Sequence, residues 1–238
     1  MTGFPSLRFY ATAPHPCSYL EGQEATTLFV APDTELSDPE LVKLTESGFR
    51  RSGRYVYRPH CGHCHACISV RIPVADFKPK RRHQRTLRRN SEVIYDLSSP
   101  RLDDPHYRLY ANYIEARHAD GDMYPPSPSQ YEAFLAAGDT RSHFLNARID
   151  GQLVATMLFD QIPGHGLSAV YTFFDPDPLF EPRSFGRLLI LELIRRARES
   201  NLPYVYLGYW IRDCKKMAYK TEYRPIEMLI NGRWIRAD

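Results

Sequence analysis

The stretch Tyr204-Val-Tyr-Leu-Gly-Tyr-Trp-Ile-Arg-Asp-Cys-Lys-Lys-Met-Ala-Tyr-Lys-Thr-Glu-Tyr-Arg-Pro225 decides the fold. Its first residues are β-branched and aromatic and read as a strand that breaks at Gly208. From Tyr209 onward cations and aromatics crowd together, too polar for a core and too aromatic for an ordinary loop. Lys216, Tyr219 and Lys220 have helical spacing, which predicts that they project toward one side. Cations and phenols delivered together at a strand end suit an anionic, partly aromatic ligand such as a nucleotide end. A C-terminal strand followed by solvated lysines is the competing reading of the same residues.

Working back from this strand, residues 105–118 pattern as an amphipathic helix with Tyr107, Tyr110 and Ile114 on one face and Asp104 as its cap. A turn over 120–126 precedes a second helix, Ser129–Ala137. Strands Phe144–Ile149 and Gln152–Phe159 flank Asp150-Gly151, a two-residue hairpin signal. Leu167–Phe174 is a third strand. A Pro-rich loop then reaches Arg183-Ser-Phe-Gly186, followed by a helix to Ser200 with Leu188, Leu191 and Ile194 as its apolar stripe. The order helix, helix, three strands, helix, strand resembles the GNAT acyltransferase fold. There a loop written Arg-x-x-Gly-x-Gly/Ala wraps the pyrophosphate of acetyl-CoA with backbone N–H groups. Arg183 and Gly186 fit that pattern, but Leu188 stands where the last small residue belongs. The departure speaks against a conventional acetyltransferase and leaves the helix N-terminus free to hold another oxyanion.

The N-terminal half reads differently. Residues 1–14 are expected to form a loosely held arm. Residues 39–48 pattern as a helix, and Arg54–Arg58 and Ile68–Pro73 alternate like strands on either side of a cysteine cluster. Lys78–Asn90 is a basic run, helical from Arg82. With residues 100–105 as a linker, the expectation is an α+β protein with a smaller cysteine-containing domain over 1–95 and a GNAT-like domain over 100–238. A net charge of +3 over 238 residues hides an asymmetry. Residues 50–90 hold twelve Lys/Arg against Asp76 alone, a charge of +11, while the rest holds 19 cations against 27 acids, a charge of −8. Such concentration is the footprint of a polyanion, most commonly nucleic acid. No run approaches the roughly 18 apolar residues of a membrane helix, and no export signal is evident, so the cytoplasm is the expected compartment.

Cys61-x2-Cys64-x2-Cys67, with Cys17 as a fourth, is a ligand set for zinc or an iron–sulfur cluster, with His60, His63 or His65 able to replace a thiolate. Free thiols filling small voids explain the same residues. Cys214 reads as a buried thiol. His118 with Asp120 and Asp122 reads as a helix end and an Asp-Gly turn rather than an acid–base site.

Taken in order, His15-Pro-Cys-Ser-Tyr-Leu20, Gly48-Phe-Arg-Arg-Ser-Gly53 and Tyr57-Arg-Pro-His-Cys-Gly-His-Cys-His-Ala-Cys67 resemble the N-terminal part of the aminoacyl-tRNA–protein transferases. Arg117-His-Ala-Asp-Gly-Asp-Met123, Ala169-Val-Tyr-Thr-Phe-Phe-Asp-Pro176, Gly208-Tyr-Trp-Ile, Cys214-x-Lys-Met-x-Tyr-Lys220 and Tyr223-Arg-Pro225 resemble the C-terminal part. The short form with three clustered cysteines is similar to the bacterial aspartate/glutamate leucyltransferases. The resemblance implies transfer of leucine from leucyl-tRNA to the α-amino group of a protein beginning with Asp or Glu. It implies no organic cofactor, and a product marked as an N-degron for proteolysis. Two segments depart from the family pattern: Pro79-Lys-Arg-Arg-His-Gln84 after Phe77, and Ser184-Phe-Gly-Arg187 before the last helix.

Such a reaction needs a neutral amine, a stabilised tetrahedral oxyanion, a leaving ribose hydroxyl and two bulky substrates held together. An α-amino group with pKa near 7.7–8 is already partly neutral, so positioning and electrostatics can supply most of the rate. No Gly-x-Ser-x-Gly elbow is present, which fits direct attack. Tyr209, Lys216, Tyr219 and Lys220 are candidates to grip the terminal adenosine or stabilise charge. Asp213 and Asp175 are candidates for proton acceptor, and Tyr171 for the cleft wall. The acidic side chain of the acceptor calls for a bidentate arginine, for which Arg50, Arg51 and Arg81 stand unranked. Arg183 and Gly186 are the loop candidates. Lys78, Lys80, Arg81, Arg82, Arg85, Arg88 and Arg89 are placed on the tRNA backbone. A metal-bearing nucleic-acid-binding protein with an inert GNAT-like domain is the alternative.

Overall fold

Residues 7–238 are described in a computed structural model of the chain. The N-terminal strands are β1 (Phe9–Ala11), β2 (His15–Pro16), β3 (Glu24–Ala25) and β4 (Thr27–Val30). Helix α1 (Asp38–Glu46) precedes β5 (Arg50–Ser52), β6 (Tyr55–Pro59), β7 (Ile68–Pro73), α2 (Arg81–Arg89) and β8 (Ile94–Ser98). Then come α3 (Asp104–Arg117), α4 (Pro128–Tyr131), β9 (Ser142–Ile149), β10 (Gln152–Ile162) and β11 (Gly166–Phe174). Helix α5 (Phe185–Glu199), β12 (Tyr204–Trp210), a 3₁₀ helix (Lys215–Glu222), β13 (Ile226–Ile230) and β14 (Arg233–Ala237) complete the chain.

Two compact units result, and neither is a continuous segment. The first joins the chain up to Phe77 with Ile162–Ser168 and Pro203–Asp238; the second joins Lys78–Gln161 with Ala169–Leu202. The expected linear division near residue 100 does not describe this arrangement. Residues 100–105 lie inside the second unit, and the C-terminal strands belong to the first. Pairing explains it: β7 lies between β12 and β13, with β12 antiparallel to it from Tyr204↔Pro73 to Trp210↔Ile68.

In the first unit a small antiparallel sheet, ordered β1-β4-β6-β5, packs one face on α1. Leu28 and Val30 alternate with Thr27 and Phe29 along β4, so one set meets Leu44 and Phe49 in the core and the other does not. Glu40 accepts from the Ser37 backbone N–H at 3.0 Å to start α1, and Gly48 at φ +84° ends it. The expected N-terminal arm is β1 over Phe9–Ala11, paired with β4; residues 1–6 lie outside the described residues. The larger sheet runs β14-β13-β7-β12, extended by a parallel pairing of Gly166–Ser168 with Tyr204–Tyr206. A Cβ on Gly166 would sit 2.5 Å from the Tyr204 carbonyl oxygen, so that close approach needs glycine. The β13–β14 hairpin turns at Asn231-Gly232, both at positive φ (50° and 74°). Buried Arg71 locks this sheet, bonding Glu227 at 2.7 Å, Glu46 at 2.5 Å and Tyr206 at 3.1 Å, with its guanidinium 3.6 Å from the Tyr204 ring.

The second unit orders its strands β11-β10-β9-β8, with the β9–β10 turn at Asp150-Gly151 as expected. Tyr110, Ile114, Tyr131, Leu135, Phe144, Leu158 and Phe173 form its core. Asp103, not Asp104, caps α3, accepting from the His106 backbone N–H at 3.1 Å. The second predicted helix is a single α turn, α4, that widens into a π turn over Glu132–Ala136. The helix–helix–strand–strand–strand–helix–strand order is present as anticipated for the GNAT-like part.

Candidate functional site

Strand β12 slips register against β7 between Tyr206 and Gly208, and Gly208 adopts φ +73°. A Cβ there would lie 2.5 Å from Nη1 of Arg50, so the missing side chain is what admits the guanidinium. Arg50 stands on β5 opposite Tyr57, with its guanidinium carbon 5.8 Å from the centre of the Tyr209 ring. Burial works against its charge. The phenols of Tyr57, Tyr209, Tyr19 and Tyr219 outweigh burial and hold its pKa above the usual value.

Tyr209 is a buried strut, its hydroxyl donating to the carbonyls of Gly48 at 2.8 Å and Tyr57 at 3.3 Å. Burial pushes this phenol well above its normal range. Beyond β12 the expected helical face is a 3₁₀ turn. Three residues per turn align Lys216 with Tyr219 and rotate Lys220 away. Lys216 is exposed and Tyr219 is 43% exposed, whereas Lys220 is only 6% exposed and turned inward. The shared face predicted from a 3.6-residue period is therefore absent. Lys220 Nζ donates to the Tyr209 carbonyl at 2.5 Å. Burial, then the charge of Arg50, bring the Lys220 amine down to about 7. Asp213 is exposed on the turn between β12 and the 3₁₀ helix.

Of the three arginines left unranked by sequence, the first unit brings only Arg50 to this lip. Arg51 donates to the Gly53 carbonyl at 2.6 Å within its own hairpin, and Arg81 is an exposed residue at the start of α2 in the second unit. Tyr171, Arg183 and Gly186 also belong to the second unit. Tyr171 packs against that unit's core with its hydroxyl donating to Met123 Sδ at 3.6 Å. Arg183 is committed to Glu92 at 2.5 Å and to the Arg89 carbonyl at 3.2 Å. Asn90, not anticipated from the sequence, ties α2 to this loop by donating to the Arg183 carbonyl at 2.9 Å. Gly186 is half-buried, and a Cβ on it would make an ordinary contact with Phe174 at 3.9 Å. On α2, His83, Thr86 and Asn90 turn inward while Arg81, Arg82, Arg85, Arg88 and Arg89 are exposed, as are Lys78 and Lys80. The basic run is thus a one-sided cationic surface.

Cys67 is raised to about 12 by burial and by the neighbouring thiols of Cys17, Cys61, Cys64 and Cys214. The chemistry of this donor set fits a thiophilic ion. Among the described residues no group of three His, Cys, Asp or Glu side chains is placed to hold a metal ion. His118 caps the end of α3, with Asp120 and Asp122 exposed beyond it, in keeping with a turn.

Among the described residues no helix is long and apolar enough to cross a membrane. Residues 15–85 match the family described as "Arginine-tRNA-protein transferase, N terminus", and residues 105–230 match its "C terminus" counterpart. A curated relative from Pseudomonas aeruginosa (strain LESB58), named "Aspartate/glutamate leucyltransferase", is 52% identical over 235 residues, covering 99% of each chain. Among solved structures, the C-terminal domain of a putative lysylphosphatidylglycerol synthetase from Agrobacterium fabrum is 13% identical with a TM-score of 0.46. The match covers 71% of this chain and 50% of that one. The ribosomal-protein-S18-alanine N-acetyltransferase from Escherichia coli has a TM-score of 0.33 at 16% identity, covering 46% of this chain and 63% of that one.

The class is that of an acyl-transferring enzyme acting with tRNA and a protein acceptor. The chain belongs to the arginine-tRNA-protein transferase family.

The Lys220 amine makes one stability prediction. Its folded pKa of about 7 lies below the ordinary lysine value, so between those values the unfolded chain binds more protons and stability rises with pH. Denaturant unfolding of Lys220→Met should therefore show a larger gain, or smaller loss, relative to the parent at pH 6.5 than at pH 9.5. The same difference at both pH values would refute the buried, depressed amine.

Proposed function

We propose that the chain transfers leucine from leucyl-tRNA to the α-amino group of proteins whose N-terminal residue is Asp or Glu, marking them for proteolysis in the cytoplasm. The observation that carries this reading is the full-length 52% identity to a protein named for that activity. The geometry of the first unit is compatible with it. The acceptor's α-amino group attacks the ester carbonyl, forming the new C–N bond, and the C–O bond to the ribose breaks.

In this reading Arg50 takes the acceptor's acidic side chain, since it is the arginine held at the lip by Gly208 and the phenol ring. Lys220, about half neutral at neutral pH, takes the proton of the attacking ammonium and returns it to the departing ribose oxygen. Lys216 and the half-exposed Tyr219 grip the terminal adenosine, and Asp213 stays at the solvent edge. Tyr209 positions Lys220 through its carbonyl rather than touching the reacting atoms. Tyr171 supports its own unit. The helix start at Gly186 serves a phosphate, with Arg183 ordering the loop through Glu92. Any zinc or iron–sulfur cluster would be held by Cys17, Cys61, Cys64 and Cys67, and no step of this reading runs through it.

Labelled leucyl-tRNA and a peptide beginning with Asp test the reaction. Transfer is expected, and it should vanish when the peptide N-terminus is acetylated or is Ala. Arginyl-, phenylalanyl- and methionyl-tRNA should be poor donors. Label that never leaves the tRNA, although the protein retards it on a gel, would favour a binding protein with an inert second unit.

The cationic face of α2 gives a second expectation. Replacing Arg81, Arg82 and Arg85 with Ala should raise the KM for leucyl-tRNA. It should also flatten the log–log salt dependence of tRNA binding, by about one unit of slope for each phosphate no longer neutralised. An unchanged slope would remove tRNA from this face.

A further inference from the structure

On the face of the small sheet opposite the α1 core, side chains line up across all four strands. Tyr10 of β1 pairs with Phe29 of β4, Phe29 with Tyr57 of β6, and Tyr57 with Arg50 of β5. Directly opposed residues share a face, so these four form one row. Tyr55, two residues before Tyr57 on β6, shares the face, with its ring 5.7 Å from Phe29. The Tyr57 ring is 5.9 Å from Phe29 and 6.3 Å from Tyr209, which carries the series of rings on to the lip. Tyr10 is 54% exposed and Tyr55 44%. The solvent side of a two-layer sheet ordinarily takes polar residues at these positions.

We infer that this face is a stacking platform for the unpaired 3′ nucleotides of the aminoacyl-tRNA, laid from Tyr10 toward Arg50 so that the terminal ester arrives at the lip. The inference rests on the reading of leucyl-tRNA as donor. Three strand spacings give the row a reach of about 14 Å. A four-stranded sheet carrying aromatics holds two or three stacked bases in other RNA-binding proteins, and every base has a π face to offer. The charge is complementary. Arg50 ends the row, Arg54 stands exposed on the turn between β5 and β6, and the lip adds the exposed Lys215 and Lys216. A second copy of the chain would set these cations against their own like. An extended peptide docks on a sheet edge, where backbone groups are open, rather than on a ring-covered face.

The test uses the full chain with the exposed rings changed: Tyr10→Ala with Tyr55→Ala, and Tyr10→Phe with Tyr55→Phe as the ring-preserving pair. Fluorescence anisotropy measures affinity for a 5′-labelled tRNA ending in CCA and for the same tRNA lacking those three nucleotides. The parent should bind the CCA-ended tRNA more tightly. The alanine pair should lose about tenfold or more on that tRNA alone, and the phenylalanine pair should keep the parent's affinity. A parent that does not distinguish the two tRNAs overturns the inference, as does an equal loss on both or no loss on either. Unchanged tRNA affinity with a raised KM for the Asp peptide would also overturn it and assign the face to the acceptor. Binding is read without transfer, so failure of leucyl transfer in the parent would count against the donor assignment and not against the platform.

Discussion

Arg50 and Gly208 divide a single volume between them, and the rest of the site is arranged around that division. The register slip in β12 and the positive φ of Gly208 remove any side chain from the place where the guanidinium sits. The guanidinium is half-buried, burial works against its charge, and the phenols of Tyr57, Tyr209, Tyr19 and Tyr219 offset that, with the Tyr209 ring 5.8 Å away. The same charge helps depress Lys220, which is anchored one strand residue away on the Tyr209 carbonyl. Glycine, arginine and lysine are thus one electrostatic unit. An alanine at 208 would displace the guanidinium and, with it, the influence that after burial does most to lower Lys220.

The reach of the sequence can be judged from particular residues. The Asp150-Gly151 hairpin and the apolar stripe of α5 were legible because both depend on neighbours a few residues apart. Asn231-Gly232 carries the same local signal and closes the β13–β14 hairpin, beside a cation-rich segment that masks it in the sequence. The turn over Lys215–Glu222 looked helical from its spacing, but a period of three replaces 3.6 and sends Lys220 inward. What could not be read is non-local. Arg50 meets Gly208, and Arg71 meets Glu227, across more than 150 residues of chain. The two units are likewise set by β7 pairing with both C-terminal strands, a choice that no linear boundary encodes.

Function and fold meet in the first unit. A small sheet buries one face on α1 and leaves on the other a row of rings that ends at Arg50. A larger sheet, fastened by the Arg71 ion pairs, fixes the strand that breaks at Gly208. The second unit contributes a helix whose inward residues are His83 and Thr86 and whose outward residues are Arg81, Arg82, Arg85, Arg88 and Arg89 with Gln84 and Leu87. Backbone phosphates, unpaired bases and an acidic acceptor make different chemical demands. In the proposed reading the cationic helix, the ring-bearing sheet and the half-buried arginine answer them separately.

The central claim is that the Arg50 fork reads the acceptor's carboxylate. Its most direct test compares kcat/KM for peptides beginning with Asp and with Asn, in the parent and in Arg50→Lys, with a thermal melt to confirm folding. Lysine keeps the charge and loses the planar fork. The preference of the parent for Asp over Asn should fall by about tenfold or more in Arg50→Lys, with the KM for leucyl-tRNA unchanged. A folded Arg50→Lys protein that still prefers Asp by the parent's margin would contradict the account.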